Sequence, residues 1–223
     1  MSNPPDPRAI DRVDPDGVLR EGAEALQSAR VGQTRSQLFR RGGVLAGAGL
    51  AAGAIPIGFA IGQGGLPGGD IKILNYALTL EYLEAAFYAE AIKKGELKGE
   101  EAMFAEVVGA HETTHVEALK KVLGGKAVKA PKVDFKDATG KGKFLATAIV
   151  LEDTGVSAYQ GQAPLIETTE VLATAGAILA VEARHAAWAR DIAGDDPAPD
   201  AFEMPMDMQA VLDAVEATGF LKG

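Results

Sequence analysis

The chain has 223 residues, 47% of them hydrophobic and 24% charged, with a formal net charge of −9. This is globular composition, which excludes disorder throughout, and the acidic balance argues against a nucleic-acid partner, whose phosphates it would repel. Cysteine is absent, which excludes disulfides, thiolate zinc sites and cysteine-held iron–sulfur clusters, and histidine occurs only at His111, His115 and His185.

Residues 1–43 are polar and carry Pro4, Pro5, Pro7 and Pro15. Their last part is basic, with Arg30, Arg35, Arg40 and Arg41 and no acid between them. A run of 17 uncharged residues follows from Val44 to Ala60, and then the Gly- and Pro-rich IGQGGLPGGD. A basic region, a mildly apolar stretch and small residues at Gly58 and Ala60 have the layout of an export signal, with cleavage expected after Ala60. The run is short for a bilayer, so no stable membrane span is expected after cleavage. The segment TRSQLFRRGGVLAGAGLA resembles a twin-arginine signal. That resemblance implies a periplasmic or cell-envelope location. Residues 1–60 are therefore read as a leader region and 61–69 as a linker. Without residues 1–60 the chain has 15 Lys+Arg and 25 Asp+Glu, a net of −10.

From Asp70 the pattern becomes helical. Asp70 is placed to cap a helix over about 71–94, with Lys93 and Lys94 at its negative end and Gly95 as its stop. The turn GELKG leads to a second helix over about 100–123, ended by Gly124 and Gly125. The segment KAVKAPKVDFKDATGKG has no helical period. A third helix is expected over about 143–160, broken by Gly161 and Pro164, and a fourth over about 168–192, stopped at Gly194. No alternating β-branched run or Asn-Gly turn predicts a strand. Short links make helices 1 and 2, and helices 3 and 4, antiparallel neighbours. The long segment between the pairs suits an all-α four-helix bundle with one crossover, over 70–193. The acidic tail, 194–223, carries a short helix from about Met208, expected to cover one end of the bundle.

Helix 2 contains Glu112-Thr-Thr-His115 and helix 4 contains Glu182-Ala-Arg-His185. Residues three apart share a helical face, so each pair can aim a carboxylate and an imidazole inward. Helix 1 supplies Glu81 and helix 3 Glu152, 31 and 30 residues before Glu112 and Glu182. Tyr88 and Tyr159 each follow their glutamate by seven residues, nearly two turns. The chain reads as one helical hairpin repeated at an offset of about 70, each copy supplying three metal ligands. The glutamates lie among apolar residues, as in Leu80-Glu81 and Val150-Leu151-Glu152. Four buried carboxylates without cations would cost several kcal/mol each or be forced to protonate. Two divalent metals would cancel their charge.

At these residues the chain from about 70 to 190 resembles the ferritin-like four-helix proteins, in particular the branch of exported bacterial ferritin-like and plant desiccation-related proteins. The resemblance is carried by ILNYALTLEYLEAAFY, HETTHVEAL, LEDTGVSAYQG and AVEARHAAWAR. It implies two iron or two manganese ions held by Glu81, Glu112, His115, Glu152, Glu182 and His185. Glu112 and Glu182 would be the bridging carboxylates and Glu81 and Glu152 the terminal ones. Glu84, one turn after Glu81, is an alternative helix 1 ligand. The partners implied are the metal ions and O2 or peroxide, and a homo-oligomer is compatible with the reading. Tyr88 and Tyr159 are candidate catalytic residues, donating to bound oxygen species or relaying single electrons. A peroxidase of the rubrerythrin kind brings a cysteine-ligated iron, which this chain lacks. Fe(II) oxidation or peroxide disproportionation is therefore the expected chemistry. The competing expectation is a non-catalytic structural or stress-protective envelope module. His111-Glu112-Thr-Thr-His115 also spells His-Glu-x-x-His, the zinc-protease pattern. That reading has no evident third ligand and leaves Glu81, Glu152, Glu182 and His185 without a role, so His111 is expected on the surface or just outside the ligands.

Overall fold

The computed structural model describes residues 65–222. The expected export signal, its cleavage point and residues 61–64 of the expected linker lie outside the described residues. Four long helices form the bundle: α1 (Gly68–Lys94), α2 (Glu100–Leu123), α3 (Phe144–Gln162) and α4 (Thr169–Ala193). A fifth, α5 (Met208–Thr218), follows in the tail. Among the described residues no helix is long and apolar enough to cross a membrane.

On α1 the buried positions Ile73, Leu74, Ala77, Leu78, Phe87, Tyr88 and Ala91 recur at three- and four-residue steps, the stripe of a core-facing helix. Glu81 and Glu84 occupy the middle of that stripe and are buried with it. α1 lies along α2 and α3 along α4, as their short links require.

The interior has two apolar parts. One gathers Phe87, Tyr88, Phe104, Phe135, Phe144, Val211, Val215 and Phe220. Its rings pack tightly: Phe87 stacks on Phe144 with centroids 5.5 Å apart, and Phe104 meets Trp188 edge-on at 5.2 Å. The other gathers Leu74, Leu78, Val116, Leu119, Leu123, Tyr159, Val171, Ala175 and Ile178. α2 starts in the aromatic part at Phe104 and ends in the other at Leu123, whereas α4 starts at Val171 and ends beside Trp188. The two helices are therefore antiparallel. Both change from one part to the other at a Glu-x-x-His segment. The polar residues thus form a layer between two apolar ones.

α3 starts at Phe144 in the aromatic part, at the opposite end from Leu123. The connection must therefore travel the length of α2, about 36 Å for 24 residues. This is the physical reason for the long crossover. The crossover also contains a structure that the sequence pattern did not reveal. Lys132–Val133 forms β1 and pairs antiparallel with β2, Leu221–Lys222, in the register Lys132↔Lys222 and Val133↔Leu221. Two-residue strands are too short for an alternating pattern to appear. The pairing places Phe135 edge-on to Phe220, centroids 5.2 Å apart, over the aromatic part of the core.

Two sequence expectations need correction in detail. Asp70 does not cap its own helix; its carboxylate is fully buried and accepts hydrogen bonds from the backbone N–H groups of Glu167 and Thr168, both 2.9 Å, at the start of α4. There it satisfies donors that the α4 terminus leaves free and sits at the positive end of the helix dipole. Gly161 does not break α3, which runs on to Gln162 and a short 3-10 turn, Ala163–Leu165. Its role is steric. The tail crosses α3 with Met206 N–H donating to Ser157 O at 3.1 Å, and a Cβ at Gly161 would lie 1.8 Å from Met206 O. Gly161→Ala is expected to unseat this crossing at a cost of about 1–3 kcal/mol. It should lower Tm and speed proteolysis between Gly194 and Asp207; an unchanged Tm would contradict the close crossing.

Candidate metal centre

The side chains of Glu81, Glu112, Glu152 and Glu182 are fully buried, and those of His115 and His185 nearly so. α2 and α4 each present Glu and His on one face three residues apart, and their antiparallel packing sets each pair against the other. Nδ1 of His115 lies 3.1 Å from Glu112 on its own helix, 3.1 Å from Glu182 on α4 and 3.1 Å from Glu81 on α1. Nδ1 of His185 lies 3.1 Å from both Glu112 and Glu152.

These atoms form two overlapping sets of four donors, each set within 4.8 Å: Glu81, Glu112, His115 and Glu182 in one, Glu112, Glu152, Glu182 and His185 in the other. Glu112 and Glu182 belong to both. Glu112 spans them directly, with Oε2 toward His115 and Oε1 toward His185.

The donors satisfy one another only in part: Nδ1 of His115 is within hydrogen-bond reach of Glu81 and Glu112, and Nδ1 of His185 of Glu152. An imidazole nitrogen has at most one proton, yet three carboxylates surround Nδ1 of His115. Oε1 of Glu112 and both oxygens of Glu182 are buried without a hydrogen-bond partner, although an imidazole nitrogen is within 3.1 Å of two of them. Proximity without bonding means that the atoms converge on common points between them. A spacing near 3 Å is the edge expected between neighbouring ligands of a cation with bonds of about 2.1 Å. The residues therefore fit a pair of ions.

Each tyrosine is buried on the same helix as the glutamate it follows, Tyr88 with Glu81 on α1 and Tyr159 with Glu152 on α3. Tyr88 donates its hydroxyl hydrogen bond to Oε1 of Glu152, and Tyr159 donates to Oε1 of Glu81. Each tyrosine thus holds the glutamate of the other hairpin and leaves its Oε2 facing a histidine. Burial, reinforced by the charge of the glutamate it holds, pushes each hydroxyl well above the ordinary tyrosine value and keeps it a donor.

Burial and then the surrounding carboxylates push Glu84, Glu112 and Glu182 well above the usual carboxylate range. Burial acts the same way on Glu81, but hydrogen bonding and charge from His115, with the Tyr159 hydroxyl, bring it below that range. Burial disfavours protonation of His115, yet the carboxylates of Glu112, Glu182 and Glu81 crowded around its Nδ1 raise it. Without a cation, protons on the raised groups would supply positive charge to the cluster.

Glu84 is also buried within this field, but it belongs to neither donor set. Two features escaped the sequence reading. Gly155, one turn after Glu152, makes room for the cluster: a Cβ there would lie 3.1 Å from Glu182 Oε2 and 3.3 Å from Glu84 Oε1. A glycine on the inward stripe of α3 was the available signal. His111 lies outside both donor sets, and its Nδ1 is 2.9 Å from Nε2 of His185. Burial and then the imidazoles of His185 and His115 hold it below the ordinary histidine value. Among the described residues His111 and His115 share no donor set, so the zinc-protease pattern does not assemble there.

An apolar cavity adjoins the cluster, lined by Leu80, Leu119, Tyr159, Val171 and Ala175 among others. No curated protein matches the sequence. The family model described as a ferritin-like domain matches residues 69–195, more than half of the chain. The chain therefore belongs to the ferritin-like domain family.

Proposed function

We propose that this protein holds two iron or two manganese ions and uses them to oxidise Fe(II) or to consume peroxide or O2. Glu81, Glu112, His115 and Glu182 hold one ion; Glu112, Glu152, Glu182 and His185 hold the other. The observation that carries the reading is the pair of overlapping donor sets sharing Glu112 and Glu182 in a water-poor layer. A Glu from each of two helices and Glu-x-x-His from each of the other two is the donor pattern of di-iron and di-manganese bundles. Carboxylate-rich sites with imidazole suit those metals. When bound, the pair supplies redox chemistry suited to small oxidants.

The chain's own groups prepare the site. Tyr88 and Tyr159 fix the terminal carboxylates, so Oε2 of Glu152 and of Glu81 are directed inward. Glu112 and Glu182 yield their protons as cations enter, so uptake releases acid and weakens as pH falls. Self-sufficient chemistry is favoured because no cysteine-held redox partner exists in the sequence.

Anaerobic loading is expected to give about two iron or manganese ions per chain, and Fe(II) in the loaded protein should be consumed on admission of air, followed with a ferrous chelator. Binding without consumption would leave a structural metal site and remove the oxidase reading. Glu182→Ala should weaken uptake at both positions, whereas Glu81→Ala should leave one ion bound, as read by equilibrium metal analysis. Equal losses in both variants would contradict the bridging role of Glu182.

The leader is proposed to direct export by a twin-arginine-like route, supported by its basic residues and the 17-residue uncharged run. N-terminal sequencing of the protein from its native envelope fraction should then begin near Ile61; an intact N-terminus recovered from cytosol would overturn export.

A further inference from the structure

His111 belongs to neither donor set but contacts one of them. Its Nδ1 is 2.9 Å from Nε2 of His185, with the rings inclined by 18° and their centroids 5.2 Å apart. The inward nitrogen of His185 is Nδ1, facing Glu112 and Glu152. A ring nitrogen that ligates a cation must offer a lone pair, so the ring proton must sit on the other nitrogen, and a hydrogen-bond acceptor there fixes that tautomer. For His185 the acceptor within reach is Nδ1 of His111.

We infer that His111 is a positioning residue that orients His185 toward its ion, and that it makes the two metal positions unequal. This rests on the di-metal reading. The inequality follows from the repeat. An offset of 70 carries Glu112 onto Glu182 and His115 onto His185, and it carries His111 onto Val181. A valine side chain cannot accept a hydrogen bond. Among the described residues no side chain hydrogen-bonds Nε2 of His115, the atom equivalent to the one His111 holds. The position built on His185 therefore has a partner at the outer ring nitrogen before the ion arrives, and the position built on His115 has none there among the described residues. The first ion enters at His185. His111 is itself solvent-exposed, so the hydrogen-bonded pair runs from the buried cluster to the surface.

The test uses the full chain stripped of metal and titrated with Zn2+, a redox-inert probe. Calorimetry should resolve two steps, the tighter one at His185. In the loaded protein, 15N NMR of the histidine rings should find the His185 proton on Nε2. His111→Ala should weaken the tighter step about 10- to 100-fold, the usual range for loss of such a partner, and leave the weaker step nearly unchanged. His111→Asn places an amide oxygen where Nδ1 stood and should recover most of the loss. Because His111 is exposed on α2, the metal-free variants should melt with the parent; any offset in their melting is common to both steps and does not imitate a loss confined to one. Unchanged steps in His111→Ala, equal weakening of both, or no recovery in His111→Asn would overturn the inference while leaving two-ion binding intact. A parent chain that takes up no second ion would overturn the di-metal reading and this inference with it.

Discussion

A carboxylate confined in an apolar interior costs several kcal/mol unless a cation or a proton answers its charge. Here the demand is multiplied, because Glu81, Glu84, Glu112, Glu152 and Glu182 share one buried layer with His115 and His185. Everything around that layer limits the ways in which it can be answered. Apolar residues close it on both sides, so water is a poor substitute. The tyrosines each satisfy one oxygen of Glu152 or Glu81 and no more. What remains is a set of oxygens and nitrogens with free lone pairs and a shared centre.

The two hairpins are joined by more than packing. Tyr88 of the first holds Glu152 of the second, and Tyr159 of the second holds Glu81 of the first. The seven-residue spacing makes this exchange possible. α1 and α3 run in opposite directions, so a tyrosine two turns beyond its own glutamate comes level with the glutamate of its neighbour. Neither donor set exists within one hairpin: each takes Glu112 from α2 and Glu182 from α4. The site therefore exists only when the crossover has brought both halves together, and a cation bound there would favour the packed state over any state with separated hairpins.

Much of this was legible in the sequence, for identifiable reasons. The limits of α2 were readable because acidic residues open it and paired glycines close it. The Glu-x-x-His pairs were readable because a three-residue step fixes a face without knowledge of the partner helix. The unreadable features depend on which elements meet. Asp70 resembles a local cap, yet its carboxylate serves the start of α4, 97 and 98 residues away. Gly161 resembles a breaker, yet it is a gap for the tail backbone. Glu81 and Glu84 lie one turn apart on the same inward stripe, so periodicity could not separate them; the reach of His115 does. The partner of each tyrosine depended on helix direction, and His111 was ambiguous because its pattern also spells a zinc site.

A bundle needs no such cluster to fold. Replacing buried ionic groups with apolar side chains of similar volume is often neutral or stabilising, whereas removing one member of a set is costly. Leucine-like residues at these positions would extend the two apolar parts into one continuous core. The charged layer thus works against the stability of the metal-free chain, and Gly155 adds to that by giving up a side chain where the core could use one. A purely structural role for the bundle gives no reason for this arrangement. Cation binding gives one, since the same charges that oppose folding without ions supply the binding energy when ions are present. The glutamates, the tyrosines that hold two of them and the glycine that makes room for them then answer to one requirement.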